Sequence, residues 1–191
     1  MNVEFANRLH NLGYFKGLDP QETIVVRDEI LTRGWSGIFS NSYRVYSADA
    51  EELAEGGIGE FIARVAPFLI AEGVTIPEIE EDSSADGYLV WVGNERNVIY
   101  EAADLERDGT GAAAGLVWGL SMARGFRLVS ALLADAGSEE TVYAVNGGND
   151  LFAFFLTPAL HRLIIEHPDA SPLDAPYSPT EQFPFFGQPQ R

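Results

Sequence analysis

Cysteine is missing from all 191 positions. That absence removes disulfide bridges, thiolate zinc sites, iron–sulfur clusters and a cysteine nucleophile, and it fits a reducing cytosol. Histidine is scarce. His161 and His167 are six residues apart and so fall on different faces of a helix, His10 stands alone, and no HExxH spacing exists, so no metal site and no cofactor are expected. Positive charge is scarce too: 12 basic residues face 29 acidic ones, for a formal net charge of −17, and Lys16 is the single lysine. Such a chain repels phosphates, which argues against a direct nucleic-acid partner. The arginine bias beside abundant alanine and glycine points to a GC-rich bacterial genome. Long apolar runs are lacking as well. The richest segment, Gly109 to Gly137, is interrupted by Arg124, Arg127 and several glycines and reads as a buried helix, not a membrane span. The opening MNVEFANRLHNL has no basic segment followed by an apolar core, so no signal peptide is expected and the anticipated location is cytoplasmic.

The densest structural signal is Thr141 to Ile165. Val142, Tyr143 and Val145, then Leu151, Phe152, Phe154, Phe155 and Leu156, are the residue types that suit a pleated surface. Between them Asn146-Gly147-Gly148-Asn149-Asp150 predicts a tight hairpin, and Thr157-Pro158 predicts an N-cap and first turn of a helix. Upstream, helices are expected over Val3–Leu12, after the capping signature Asp19-Pro20-Gln21-Glu22 with Ile24, Val25, Ile30 and Leu31 continuing it until Gly34, and after Asp49 with a break at Gly56–Gly59. GWSGIFSNS reads as a loop anchored by Trp35 and Phe39, followed by a short strand at Tyr43–Tyr46. A weak strand at Thr75–Ile79, the loop EEDSSAD, and a hairpin of Tyr88–Val92 with Val98–Tyr100 complete a meander. Gly109–Leu133 predicts one central helix.

The chain is therefore expected to be α+β: one domain over 1–167, a mostly antiparallel sheet of five to six strands with helices packed on it, and an extended proline-rich tail over 168–191. The tail's Tyr177, Phe183, Phe185 and Phe186 are too apolar for a solvated linker, so it is expected to dock on its own domain or on a partner, with a homodimer as one outcome.

No catalytic constellation emerges. Asp104-Leu-Glu106-Arg-Asp108-Gly109 begins as a calcium loop does, but its twelfth position is Gly115 instead of the acid that completes the site. Gly109-Thr-Gly-Ala-Ala-Ala resembles a dinucleotide turn only superficially, because Asp104, Glu106 and Asp108 would repel phosphate. Ser121 lacks the glycine-flanked elbow of a serine nucleophile. Three polar or aromatic groups remain as binding candidates: the acidic stretch Glu78, Glu80, Glu81, Asp82 and Asp86; the hairpin tip Asn146, Asn149 and Asp150; and the tail's Phe183, Phe185 and Phe186.

These features favour a noncatalytic module whose acidic surface binds a basic protein. In size, charge and mixed α/β pattern the chain resembles, in general character, the acidic immunity proteins that bacteria keep against their own secreted toxins. The alternatives are a small-molecule enzyme using carboxylate and histidine acid–base chemistry in a pocket, and a homo-oligomeric structural subunit assembled through the tail.

Overall fold

A computed structural model describes residues 2–190; Met1 and Arg191, the last residue of the expected tail, lie outside them. Among these residues the elements run α1 (Asn2–Asn11), α2 (Pro20–Arg33), β1 (Val45–Ser47), α3 (Ala50–Ala54), α4 (Ile58–Ala71), β2 (Ile79–Ser84), β3 (Gly87–Val92), β4 (Glu95–Glu101), α5 (Ala102–Gly109), α6 (Leu116–Asp135), β5 (Thr141–Val145), β6 (Phe152–Leu156) and α7 (Pro158–Ile165). The class is α+β with six strands. They form two antiparallel sheets of three, β1-β6-β5 and β2-β3-β4, not the single sheet the pattern suggested. One edge of each sheet is contacted by another part of the chain: Arg124 of α6 donates to the Ile99 carbonyl of β4 (2.9 Å), and Tyr177 of the C-terminal segment bridges to Ala144 of β5.

The first sheet is apolar on both faces, which is why FAFFL shows no polar alternation. Val142, Ala144, Ala153 and Phe155 point into one core, shared with α3, α4, α6 and the inner face of the second sheet. Tyr143, Val145, Phe154 and Leu156 point into another, filled by α1, α2, the 3-10 helix Gly34–Ser40 and α7.

Several local expectations are corrected. GWSGIFS is that 3-10 helix and not a loop. α2 runs to Arg33 and buries Val26 and Ile30, with Ile24 and Val25 exposed. The central helix starts later than expected: α6 begins at Leu116, after Gly115, whose φ of +82° stops it from running back, and turns separate it from a further helix, α5, that ends at Gly109. Asp104, Glu106 and Asp108 therefore sit on α5 and do not form an ion-binding loop. The tight hairpin is wider, running from Asn146 to Leu151 through a 3-10 turn at Gly148–Asp150. EEDSSAD is largely strand β2, because pairing with β3 overrides the poor strand propensity of its residues. The C-terminal segment is not extended throughout; it turns around residues 172–174 and 183–187 and pairs only at Tyr177.

α6, 20 residues long, has the length and composition of a membrane-crossing helix. Here it is a core helix: Leu116, Leu120, Met122, Phe126, Val129 and Leu133 are buried among the neighbouring elements. Helix ends are closed largely by carboxylates. Asp19 and Asp49 cap α2 and α4's short predecessor α3 from within their own segments. Two helices begin after a glycine and borrow their caps: Asp108 accepts from the Leu116 amide (2.7 Å), and Glu81 accepts from the Gly59 amide (2.9 Å).

Candidate functional site: an acidic sheet face

Charge is distributed unevenly along the chain. Between Asp49 and Asp108, sixteen carboxylates accompany three arginines. This segment contains α3, α4, α5 and the whole second sheet. Its ion pairs use Arg64 with Glu52 and Glu60, Arg107 with Asp104, and Lys16 from outside the segment with Glu72. Glu80, Asp82 and Asp86 stay exposed on and beside β2.

Strand alternation sorts the sheet's side chains. Ile79, Tyr88, Val90 and Val92 face the core. On the opposite face, register places Glu80, Trp91 and Arg96 in one cross-strand row and Asp82, Leu89 and Val98 in the next. Trp91, Leu89 and Val98 are half-buried, so an apolar strip runs down the middle with acids on the β2 side. An irregularity where Tyr88 pairs with Tyr100 and Leu89 with Val98 leaves Ile99 as an extra residue. It lets both Ile99 and Tyr100 reach the core, where the Tyr100 hydroxyl donates to Ala54 O (2.7 Å), while Val98 remains outside. A groove of about 450 Å³ lies at one end of this face, bordered by Asp82, Asp86, Leu89, Arg96, Val98 and Glu101. The β4 edge is closed by α6, whereas among the described residues no strand lies on the outer side of β2, and residues 80–84 are exposed.

Of the acids singled out in the sequence, Glu81 has a different job. Although exposed, it turns toward the start of α4, accepts from the Gly59 amide and the Tyr88 hydroxyl, and the Tyr88 oxygen in turn accepts from Ile58 N (3.1 Å). Burial raises the Tyr88 phenol well above its ordinary range, and the carboxylate of Glu81 adds to that. Glu81 and Tyr88 thus hold the start of α4.

The hairpin tip and the tail aromatics come together elsewhere. Gly147, Gly148, Phe185 and Phe186 border one shallow depression. Asn149 donates to Glu51 (3.1 Å), the Asn146 carbonyl accepts from the Tyr177 hydroxyl (2.7 Å), and Asp150 is exposed. Phe186 is buried over Gly119, where any Cβ would collide with its ring; Phe183 stands edge-on to Phe186, and Phe185 is 51% exposed. Glu181 pairs with Arg124 (2.6 Å) and Arg127, and the hydrogen bond from Arg124 is the main reason its carboxyl lies below the usual range.

The groups suited to acid–base chemistry are otherwise engaged. His161 stacks on Tyr143 (3.9 Å between centroids), bonds the Pro176 carbonyl (2.9 Å), and is shifted down by burial. His167 is buried against the Phe5 ring. Ser121 is fully buried within α6, and its hydroxyl has no partner among the described residues.

One residue that pattern reading overlooked is Arg44, 1% exposed. Its Nη1 donates to both oxygens of Glu140 (2.9 Å each) and to Phe155 O (2.9 Å), its Nε to Tyr14 O (2.8 Å), and its Nη2 to Gly13 O (3.1 Å). Burial keeps the Glu140 carboxyl above its ordinary range despite the opposing pull of Arg44. With both Glu140 oxygens taken by Arg44, the pair is a fastening between the end of α1 and the central sheet. No local signal marks it, because the partners are 96 residues apart.

Comparison of the chain with protein-family models, with curated proteins and with solved structures finds no match.

Proposed function

We propose that this chain is a noncatalytic protein-binding module that presents the outer face of β2-β3-β4 to a basic partner. The observation that carries this reading is the uncovered strip of Leu89, Trp91 and Val98, bordered by Glu80 and Asp82 beside the open edge of β2. An aromatic anchor within a charged rim is the composition of an energetic centre in protein interfaces. The acids also select the partner. Two copies of β2 would repel each other, which protects the edge against self-pairing, while a basic surface or strand would be attracted. That is the general character of an acidic immunity protein. The two cores share the central sheet, which supports reading 1–167 as one domain, with 168–191 as a strap docked on it through Tyr177, Glu181 and Phe186.

The test is affinity capture from the native host with wild type, Glu80→Lys/Asp82→Lys and Trp91→Ala, with circular dichroism to check that each variant is folded. Wild type is expected to retain a basic protein that is released by high salt and lost from both variants. A captured set that is neutral or acidic, or one unaffected by the substitutions, would rule the interface out.

A further inference from the structure

A second cavity lies on the opposite face of the molecule's central sheet, away from the acidic strands. It measures about 370 Å³ and is bordered by Trp35, Ser36, Phe39, Asn146, Phe152 and Asp174, with Val45 and Val145 beneath. Five stretches of chain line it, three of which supply its aromatic rings and its carboxylate. The 3-10 helix Gly34–Ser40 supplies Trp35 and Phe39, whose rings meet edge to face at 5.5 Å. The start of β6 supplies Phe152, left 36% exposed at the rim although its neighbours Ala153, Phe154 and Phe155 are buried. The segment after α7 supplies Asp174.

The polar groups around this aromatic enclosure are mostly acceptors. The Trp35 indole N–H is turned away and bonded to Ile164 O (2.9 Å). The Ser36 hydroxyl gives its proton to Arg33 O (3.2 Å), so its oxygen offers lone pairs. Asp174 contributes a carboxylate, and among the described residues no cation pairs with it. Asn146 contributes the one amide. It holds a left-handed backbone, φ +59°, and its carbonyl is tied by the Tyr177 hydroxyl (2.7 Å), so its position is fixed from outside the cavity.

We infer that this cavity binds a small organic ammonium ion with an apolar or aromatic body. Ring faces attract a cation through their quadrupole, the carboxylate supplies the opposing charge, and the Ser36 and Asn146 oxygens accept the remaining N–H groups. An anion would meet Asp174 with no donor but the Asn146 amide to offset it. A cavity of this size lies within the range used by small ligands. The inference is independent of the acidic sheet face.

The experiment is calorimetric titration of the full-length protein with phenethylammonium, with the similarly shaped 2-phenylethanol and 3-phenylpropanoate as neutral and anionic controls, and amide chemical-shift mapping of the complex. The ammonium should bind saturably and the controls at least about tenfold more weakly, with shifts centred on Ser36, Asn146 and Asp174. Asp174→Asn should weaken binding about tenfold, and Phe152→Ala by roughly 2- to 30-fold, as expected for loss of one ring from a cation site. Both positions are at the rim, and unchanged far-ultraviolet dichroism would show the fold intact. The inference is overturned by equal affinity for the alcohol, by an Asp174→Asn variant that binds as wild type does, or by shifts centred on Trp91, which would place the amine on the acidic sheet instead.

Discussion

Replacing Arg44 by methionine should be among the most damaging single changes to the fold, and its cost follows from the contacts. The guanidinium is the cation for Glu140 and a donor to three main-chain carbonyls, of Gly13, Tyr14 and Phe155. Tyr14 O keeps a second donor in the Asn41 side chain (3.0 Å) and Gly13 O keeps the Lys16 amide (3.0 Å). Breaking a buried pair from one side leaves an uncompensated charge, which costs about 3–5 kcal/mol. In a chain of this size that lowers the melting temperature by roughly 6–20 °C. The loss should depend on pH in a definite sense. Glu140 already sits above its ordinary range in the folded state, and removing Arg44 removes a lowering influence, so its folded pKa rises further. The folded state then binds more protons than the unfolded one, and stability falls as pH rises above the ordinary glutamate value of about 4.3. Urea titrations of wild type and Arg44→Met should therefore differ least near pH 4 and most at neutrality. The double variant Arg44→Met/Glu140→Leu, with both charges gone, should recover much of the loss, giving a coupling energy of about 1–3 kcal/mol. A wild-type-like Arg44→Met, a gap that ignores pH, or a double variant no better than the single one would refute the role assigned to the pair.

Gly119→Ala sets a methyl group against the Phe186 ring, and should destabilise the protein by about 1–3 kcal/mol while exposing the C-terminal strap to limited proteolysis. Cleavage kinetics equal to wild type would show that the strap is held by other contacts. For His161, burial lowers the folded pKa beneath the unfolded value, so the unfolded state binds the extra proton and stability drops as pH falls below about 6.5. His161→Gln should flatten the stability profile between about pH 5 and pH 7, measured by thermal melts, and an unchanged slope would argue against that linkage.

What the sequence determined by itself is whatever depends on near neighbours. Asp19, Glu22 and Pro20 specify the start of α2 through bonds spanning three residues, Thr157-Pro158 does so for α7, and the β-branched and aromatic runs specify β3, β5 and β6. The absence of cysteine and the excess of carboxylate are likewise complete in the sequence. The tertiary structure decided everything that required distant partners. EEDSSAD became strand because β3 offers it a ladder, and Glu81 bonds the Gly59 amide because the glycine-started α4 lacks a side-chain cap of its own. The six strands are divided between two sheets, with Arg124 bonded to the edge of one at β4 and Tyr177 to the edge of the other at β5. Trp35, Phe39, Phe152 and Asp174 border one cavity although they come from three stretches of chain. Local patterns encode a residue's preferred conformation, but which edge is closed, which charge is buried and which rings face one another are set by long-range packing.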